Sequence, residues 1–389
     1  MPEELPAIRL MIERRSNHPW IFQKMVEKPA RKPNPGAIVD VYEKGGQWVG
    51  RGIYNGHSRI AIRLLTTNRD EQIDDGFFDR KIRAAVAFRQ KVLQLDRVTD
   101  AYRLVHSEAD ELSGLVIDKF ADTIVIEYFA AGMYRQREAI QRTLESLFPG
   151  SRYYWFAEDH VLKQESFHCR APEPPEPGTI TEHGLSFRVA PGSRHKTGFF
   201  VDQRNNRLRL SEFTAGKRVL DLCCNSGGFS VYSKAKGQAG EVIGVDLDES
   251  VIAVAKQNAQ LNKANIRFVQ ADLFSWLRDV IPNGERFDVV ILDPAKMTRD
   301  RDDIEGALRK YGDMNRLAMQ VIQPGGIFLT CSCTGLVSEA DFLETIRKAA
   351  FHAGRTVQIF EITGAAPDHP FLAHVKEGRY LKAVFCRVW

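Results

Sequence analysis

The sequence predicts an α/β protein whose second half is a doubly wound parallel sheet, preceded by a small β module and an α+β segment. Three observations carry this. Between residues 218 and 330 short apolar runs alternate with helical patterns, which requires parallel strands joined by crossover helices. The first 70 or so residues hold β-branched runs separated by Gly and Asn turns. With 389 residues, 43% hydrophobic and 27% charged, the chain exceeds one ordinary core, so two or three domains are expected.

Taken in order, Ala37 to Tyr42, Gln47 to Tyr54 and Arg59 to Leu65 read as strands, with turns at Gly45-Gly46 and Asn55-Gly56. Ahead of them basic residues interleave with aromatics. Arg14, Arg15, Trp20 and Lys24 are candidate RNA contacts, the alternative being a solvated basic loop around a core Trp. Phe77 to Leu95 follows helical spacing, Leu115 to Asp118 and Thr123 to Phe129 read as strands, and Tyr134 to Leu147 as a helix. The stiff stretch Ala171-Pro-Glu-Pro-Pro-Glu-Pro-Gly178 can hold neither helix nor central strand. The expected domains are therefore 1–72, 73–184 and 185–389. In the last, strands end at Leu222, Asp246, Gln270, Leu292 and Thr330, with helices between them. Val357 to Ile362 and Arg379 to Val388 are expected as edge strands, one of them antiparallel.

Composition excludes several classes. No run of about 18 apolar residues exists, so no membrane span is expected. Met1-Pro-Glu-Glu-Leu-Pro6 has acids where a secretory signal has a basic head, and a cytoplasmic protein is expected. The six cysteines show no zinc-like spacing and read as free thiols, with no metal site. A net charge of +4 permits a nucleic-acid partner without requiring one.

Asp221-Leu-Cys-Cys-Asn-Ser-Gly-Gly-Phe-Ser230 is the most informative stretch. A strand ending in an acid turns through paired glycines into a helix, bringing backbone N–H groups, a carboxylate and open space to one carboxyl edge. The dinucleotide fingerprint G-x-G-x-x-G is absent, and a cationic amino-acid cofactor, S-adenosylmethionine, suits the loop better. Asp246, Asp272 and Asp293 end or follow the next three strands, so four acids line one sheet edge. Asp221 would neutralise the cofactor's ammonium directly or through water. Asp246 would take the ribose hydroxyls and Asp272 the adenine amino group. Cys223, Asn225, Gly227, Gly228, Phe229, Leu247, Leu273 and Asp293 complete the candidate cofactor set.

These motifs resemble the class I S-adenosylmethionine-dependent methyltransferases over residues 185–389. A narrower resemblance, to the bacterial RlmI family, covers the whole chain. It rests on Arg14-Arg-Ser-Asn-His-Pro-Trp-Ile-Phe22, Glu182-His-Gly184, His195-Lys-Thr-Gly-Phe-Phe-Val-Asp-Gln-Arg204, Asp293-Pro-Ala-Lys296, Ser332-Cys-Thr-Gly335 and Asp368-His-Pro370. The resemblance implies a PUA-like domain, an α+β middle domain and a Rossmann-like methyltransferase domain that makes 5-methylcytosine in 23S ribosomal RNA. Ribosomal RNA is then the partner, with no membrane and with a homodimer left open.

Carbon 5 of cytosine is too weak a nucleophile to attack a methyl sulfonium, so a thiolate first adds to C6. In RNA cytosine-C5 enzymes that Cys follows a Gly-Gly pair with six residues between, which implies Cys333 after Gly325-Gly326. Cys331 is the nearest competitor and is expected to pack. The resemblance makes Asp293 the partner of cytosine N3 and Lys296 a third catalytic candidate. It also gives Phe200, Asp202 and Gln203 as cofactor contacts. Ala295 departs from the family's usual Asp-Pro-Pro-Lys, which loosens the turn expected to face the base. The rivals are a guanine-N methyltransferase of the same architecture and a non-catalytic RNA-binding assembly factor. A nicotinamide dehydrogenase is disfavoured by the missing glycine spacing.

Overall fold

The computed structural model describes residues 5–192 and 198–389; His195, Lys196 and Thr197 of the sequence motif lie outside the described residues. The chain divides into two compact units, one of residues 1–180, 189–201 and 367–378, the other of 181–188, 202–366 and 379–389.

The first unit opens with a five-stranded sheet of β1 (Ala7–Arg9), β2 (Trp20–Phe22), β3 (Ala37–Tyr42), β4 (Trp48–Tyr54) and β5 (Ile60–Thr66), in the order β1-β3-β4-β5-β2. Ile8, Ile21, Val39, Val41, Ile62 and Leu64 form its core. Gly52 is needed there because a Cβ would stand 2.2 Å from the Arg63 carbonyl oxygen. The expected β module is thus present, with β1 and β2 added to the three strands read from the sequence.

A second sheet holds β6 (Ala101–His106), β7 (Leu115–Phe120), β8 (Thr123–Tyr128) and β9 (Arg152–Phe156) in sequence order. Its core includes Phe77, Phe78 and Ile82 of α1 (Asp75–Ala87). Between the parallel pair β8 and β9 run α2 (Ala131–Arg135) and α3 (Arg137–Leu147), since a parallel pairing needs a crossover. Ile140 and Leu144 of α3 join the same core. The helix expected to reach Leu95 leaves α geometry after Ala87 and continues as a π-turn over Phe88–Val92. Within that turn Arg89 is fully buried and bidentate on Asp110, at 2.6 and 2.8 Å. A short helix α4 (Asp159–Glu165) precedes the Pro-rich stretch, which has no regular structure. The hairpin β10 (Gly178–Glu182) and β11 (Leu185–Val189) follows it.

The second unit is the doubly wound sheet. Its strands are β12 (Arg218–Leu222), β13 (Glu241–Asp246), β14 (Arg267–Gln270), β15 (Phe287–Leu292), β16 (Ile322–Ser332), β17 (Val357–Thr363) and β18 (Lys382–Val388), in the order β14-β13-β12-β15-β16-β18-β17. The first five are parallel and β18 is antiparallel to both its neighbours. The sequence expectation that residues 379–388 form an edge is corrected: β18 is interior. Its run Ala383-Val-Phe-Cys386 is fully buried, as a strand covered on both faces must be. β17 is the edge. Helices α5 (Arg204–Ser211), α6 (Gly228–Val231), α7 (Glu249–Leu261), α8 (Leu273–Val280), α9 (Ile304–Gln320) and α10 (Glu339–His352) complete the unit. Strand order reverses between β12 and β15, so the carboxyl ends of these two adjacent strands form the crevice where such sheets take ligands. No helix among the described residues is long and apolar enough to cross a membrane.

Candidate active site

The loop leaving β12 is folded around Asp221. Its side chain is buried, and Oδ2 accepts from the Ser230 backbone N–H at 3.0 Å and the Ser230 hydroxyl at 2.6 Å. The other oxygen, Oδ1, is buried with no hydrogen-bond partner among the described residues. Burial pushes the carboxyl up to about 7, opposed by Ser230 and assisted by the charges of Asp293 and Asp246. Cys223, Asn225 and Gly227 alternate into left-handed backbone, with φ of 60°, 47° and 78°. For Cys and Asn this is strain of the kind that gathers at ligand sites. A Cβ at Gly227 would stand 3.0 Å from Phe268 and 3.1 Å from Ala255, so close packing as well as φ selects glycine.

Asp246 accepts the Asn225 N–H at 2.9 Å on Oδ2 and the Asp248 N–H at 3.1 Å on Oδ1. Asp272 caps α8 by accepting the Ser275 N–H at 3.0 Å. Both carboxylates keep lone pairs for further donors. Burial pushes the Cys223 thiol up, and Asp246, Asp293, Asp221 and Asp272 all add to that shift, so the four acids share one neighbourhood around it. An acid-rich crevice with an unpartnered buried carboxyl oxygen fits a ligand that carries a cation and several hydroxyl or amino donors.

The Phe229 and Leu273 side chains sit in the hydrophobic core, at 6% and 7% exposure. Phe229 is the second residue of α6 and Leu273 the first of α8, and at both positions the apolar side chain falls inward. Leu247 is 66% exposed beside Asp246 and is free to cover a ligand.

Asp293, at the end of β15, accepts from the Gln203 side-chain amide at 3.0 Å on Oδ2. Gln203 in turn accepts from the Asn206 amide at 2.6 Å, and Asn206 accepts from the Thr363 hydroxyl at 2.7 Å. Gln203 therefore engages the β15 carboxylate, a role that the cofactor-contact expectation did not include. Asp202 is buried and accepts from the Tyr380 hydroxyl at 2.6 Å. Phe200 belongs to the first unit and is half-buried there. Lys296 is exposed in the turn after Asp293.

Cys333 follows β16, half-buried, with Sγ 3.8 Å from the Pro294 carbonyl oxygen. Thr334 fastens that strand end to the turn, since its hydroxyl accepts the Met297 N–H at 3.0 Å and is 2.8 Å from the Tyr311 hydroxyl. Burial pushes Tyr311 up to about 12, opposed by the Thr334 hydroxyl and assisted by the charges of Cys333 and Asp293. Cys331 is fully buried in the core and its thiol is pushed up by burial, so it packs.

Behind the loop leaving β12, Arg207 of α5 is bidentate on Glu182, Nε at 3.0 Å and Nη2 at 2.7 Å, and both are buried. The guanidinium lies 5.8 Å from the Tyr232 ring centroid and its stem packs on Gly228. Sequence reading quoted Glu182 only within a motif and missed its partner.

In the first unit the RNA candidates divide. The Trp20 indole donates to Glu108 at 2.8 Å and stacks under Arg63, which commits it internally. Arg14 donates to the His18 carbonyl at 2.6 Å. Arg15 and Lys24 are exposed. A groove of 820 Å³ lined by Arg9, Lys28, Arg31 and Lys32 gathers other cations of the same stretch.

Known proteins resemble the chain over nearly its whole length. Residues 103–384 match the family of S-adenosylmethionine-dependent methyltransferases and residues 13–67 a PUA-like domain. The ribosomal RNA large subunit methyltransferase I of Aeromonas salmonicida is 39% identical over 378 residues, 95% of each chain. That of Klebsiella pneumoniae strain 342 is 39% identical over 379 residues, 95% of this chain and 94% of its own. A crystal structure described as a methyltransferase, SMU.776 in complex with SAH, superposes with a TM-score of 0.84 at 19% identity, covering 99% of this chain and 100% of that one. The chain thus belongs to the ribosomal RNA large subunit methyltransferase I family, with S-adenosylmethionine as its cofactor and a PUA-like domain ahead of the methyltransferase domain.

Proposed function

We propose that the protein methylates C5 of a cytosine in 23S ribosomal RNA in the cytoplasm, with Cys333 as nucleophile. The observation that carries this reading is the Cys333 thiol lying against the Asp293-Pro294 turn at the edge that also holds the four acids. Bound S-adenosylmethionine supplies an electrophilic methyl group. The chain's own residues do the rest. The Cys333 thiolate forms a bond to C6, and the electron pair of the C5–C6 double bond makes C5 nucleophilic. Asp293, oriented by Gln203, holds a proton at N3 as charge develops there. After methylation a base takes the C5 proton, the C5–C6 double bond re-forms and the thiolate leaves. Asp221, Asp246, Asp272 and the loop from Cys223 to Gly228 hold the cofactor. Modules 1–72 and 73–184 grip the RNA, and 185–389 carries the chemistry on an extruded base.

The test is bisulfite sequencing of ribosomal RNA from cells with and without the gene. One 23S cytosine resistant only in cells with the gene is expected; no such cytosine would remove the C5 assignment.

Asp221 adds a pH dependence. Its folded-state value is raised, so the folded chain keeps a proton that the unfolded chain loses between about pH 4 and about 7. Across that window ionisation weakens the unliganded fold, and a cation beside Oδ1 offsets the penalty. Affinity for S-adenosylmethionine, measured by calorimetry, is expected to rise from about pH 5.5 to about 7.5, by up to about tenfold per unit. Asp221→Asn should weaken binding and flatten the profile; an unchanged slope would place the titrating group elsewhere.

A further inference from the structure

We propose that Lys382 is a positioning residue for Cys333, whose ammonium holds the segment after the thiol and favours its thiolate form. The inference rests on Cys333 being the nucleophile. Lys382 opens β18 opposite Ser332, one residue before Cys333, and is 2% exposed. Its Nζ donates to the carbonyl oxygens of Thr334 at 2.8 Å, Val337 at 2.9 Å and Tyr380 at 2.9 Å. All three ammonium donors are used, and two of them tie down residues directly beyond Cys333.

None of those acceptors carries a charge. A buried ammonium held only by neutral carbonyls is costly to bury, and a purely structural clip could be built from neutral donors. The cation is explained if it faces an anion that exists only part of the time. Among its charged neighbours are Cys333, Glu339 and Arg379, and the last two pair with each other at 2.6 Å. Burial lowers the Lys382 ammonium to about 8, while the Cys333 charge is the largest influence opposing that shift. By reciprocity the ammonium favours negative charge on the Cys333 sulfur. It also counters the acid-rich crevice, which works against a thiolate beside Asp293.

The experiment uses the full chain and reads the thiol directly. Iodoacetamide modification of Cys333 is followed against pH by peptide mass spectrometry in wild type, Lys382→Met and Lys382→Arg, with S-adenosylmethionine affinity and the unfolding midpoint measured alongside. Lys382→Met should slow alkylation at neutral pH about tenfold and move its midpoint up by about one unit, and Lys382→Arg should recover most of the loss. Superimposable wild-type and Lys382→Met profiles would overturn the proposal, and so would a Lys382→Arg profile no better than that of Met. Should Lys382→Met not fold, Lys382→Gln replaces it in the same comparison, and a Lys382→Gln profile superimposable on wild type overturns the proposal. Methylation by Cys333→Ala is scored separately. Full activity there would defeat the nucleophile assignment while leaving the alkylation result intact.

Discussion

Cys333→Ala is expected to lower methyl transfer to ribosomal RNA by about 10³-fold or more while leaving S-adenosylmethionine affinity within about twofold. The thiol touches the Pro294 carbonyl, whereas the loop from Asp221 to Ser230 is built from other elements, so the truncation removes the proposed nucleophile without disturbing that loop. Cys331→Ala is the control. That side chain is fully buried in the core and should lose some stability but retain transfer. Single-turnover methylation of 23S RNA separates the two variants. Full transfer by Cys333→Ala would remove the covalent mechanism and favour methylation of a ring nitrogen, which needs no thiolate.

Arg207→Met should cost about 3–5 kcal/mol of stability in the second unit, because it leaves the buried Glu182 carboxylate without its cation. Arg207→Met with Glu182→Gln should cost clearly less than the single change, since the uncompensated charge is gone. The urea midpoint of the full chain reads the difference, and calorimetry reports the cofactor loop, whose Gly228 packs on the Arg207 stem. A single-variant cost under about 1 kcal/mol would mean that water reaches the pair and that the cluster does not brace the loop.

Much of the second unit could be read from sequence because parallel strands buried on both faces are short apolar runs that end in polar residues. Asp221, Asp246, Asp272 and Asp293 marked those ends, and the strand order brings them to one edge. What could not be read lies across long separations. Gln203 meets Asp293 and Asn206 meets Thr363 through side-chain contacts that no local pattern encodes. Glu182 and Arg207 are likewise distant in sequence, and only their joint burial reveals the pair. The inward turn of the Phe229 and Leu273 side chains could not be read either, because nearness in sequence to a polar loop does not fix which face of the following helix a side chain takes. The interior place of β18 had a signal, the unbroken apolar run Ala383 to Cys386, that its position near the end of the chain obscured.

The contacts from Thr363 to Asp293 also have a direction. Thr363 O–H donates to Asn206, Asn206 N–H to Gln203, and Gln203 N–H to Asp293 Oδ2, so every donor points the same way. Reversing either amide would set oxygen against oxygen, and the wire therefore has a single polarity. Its last link reserves Oδ2 as an acceptor. Two chemically equivalent oxygens of Asp293 thereby become distinguishable before any ligand arrives.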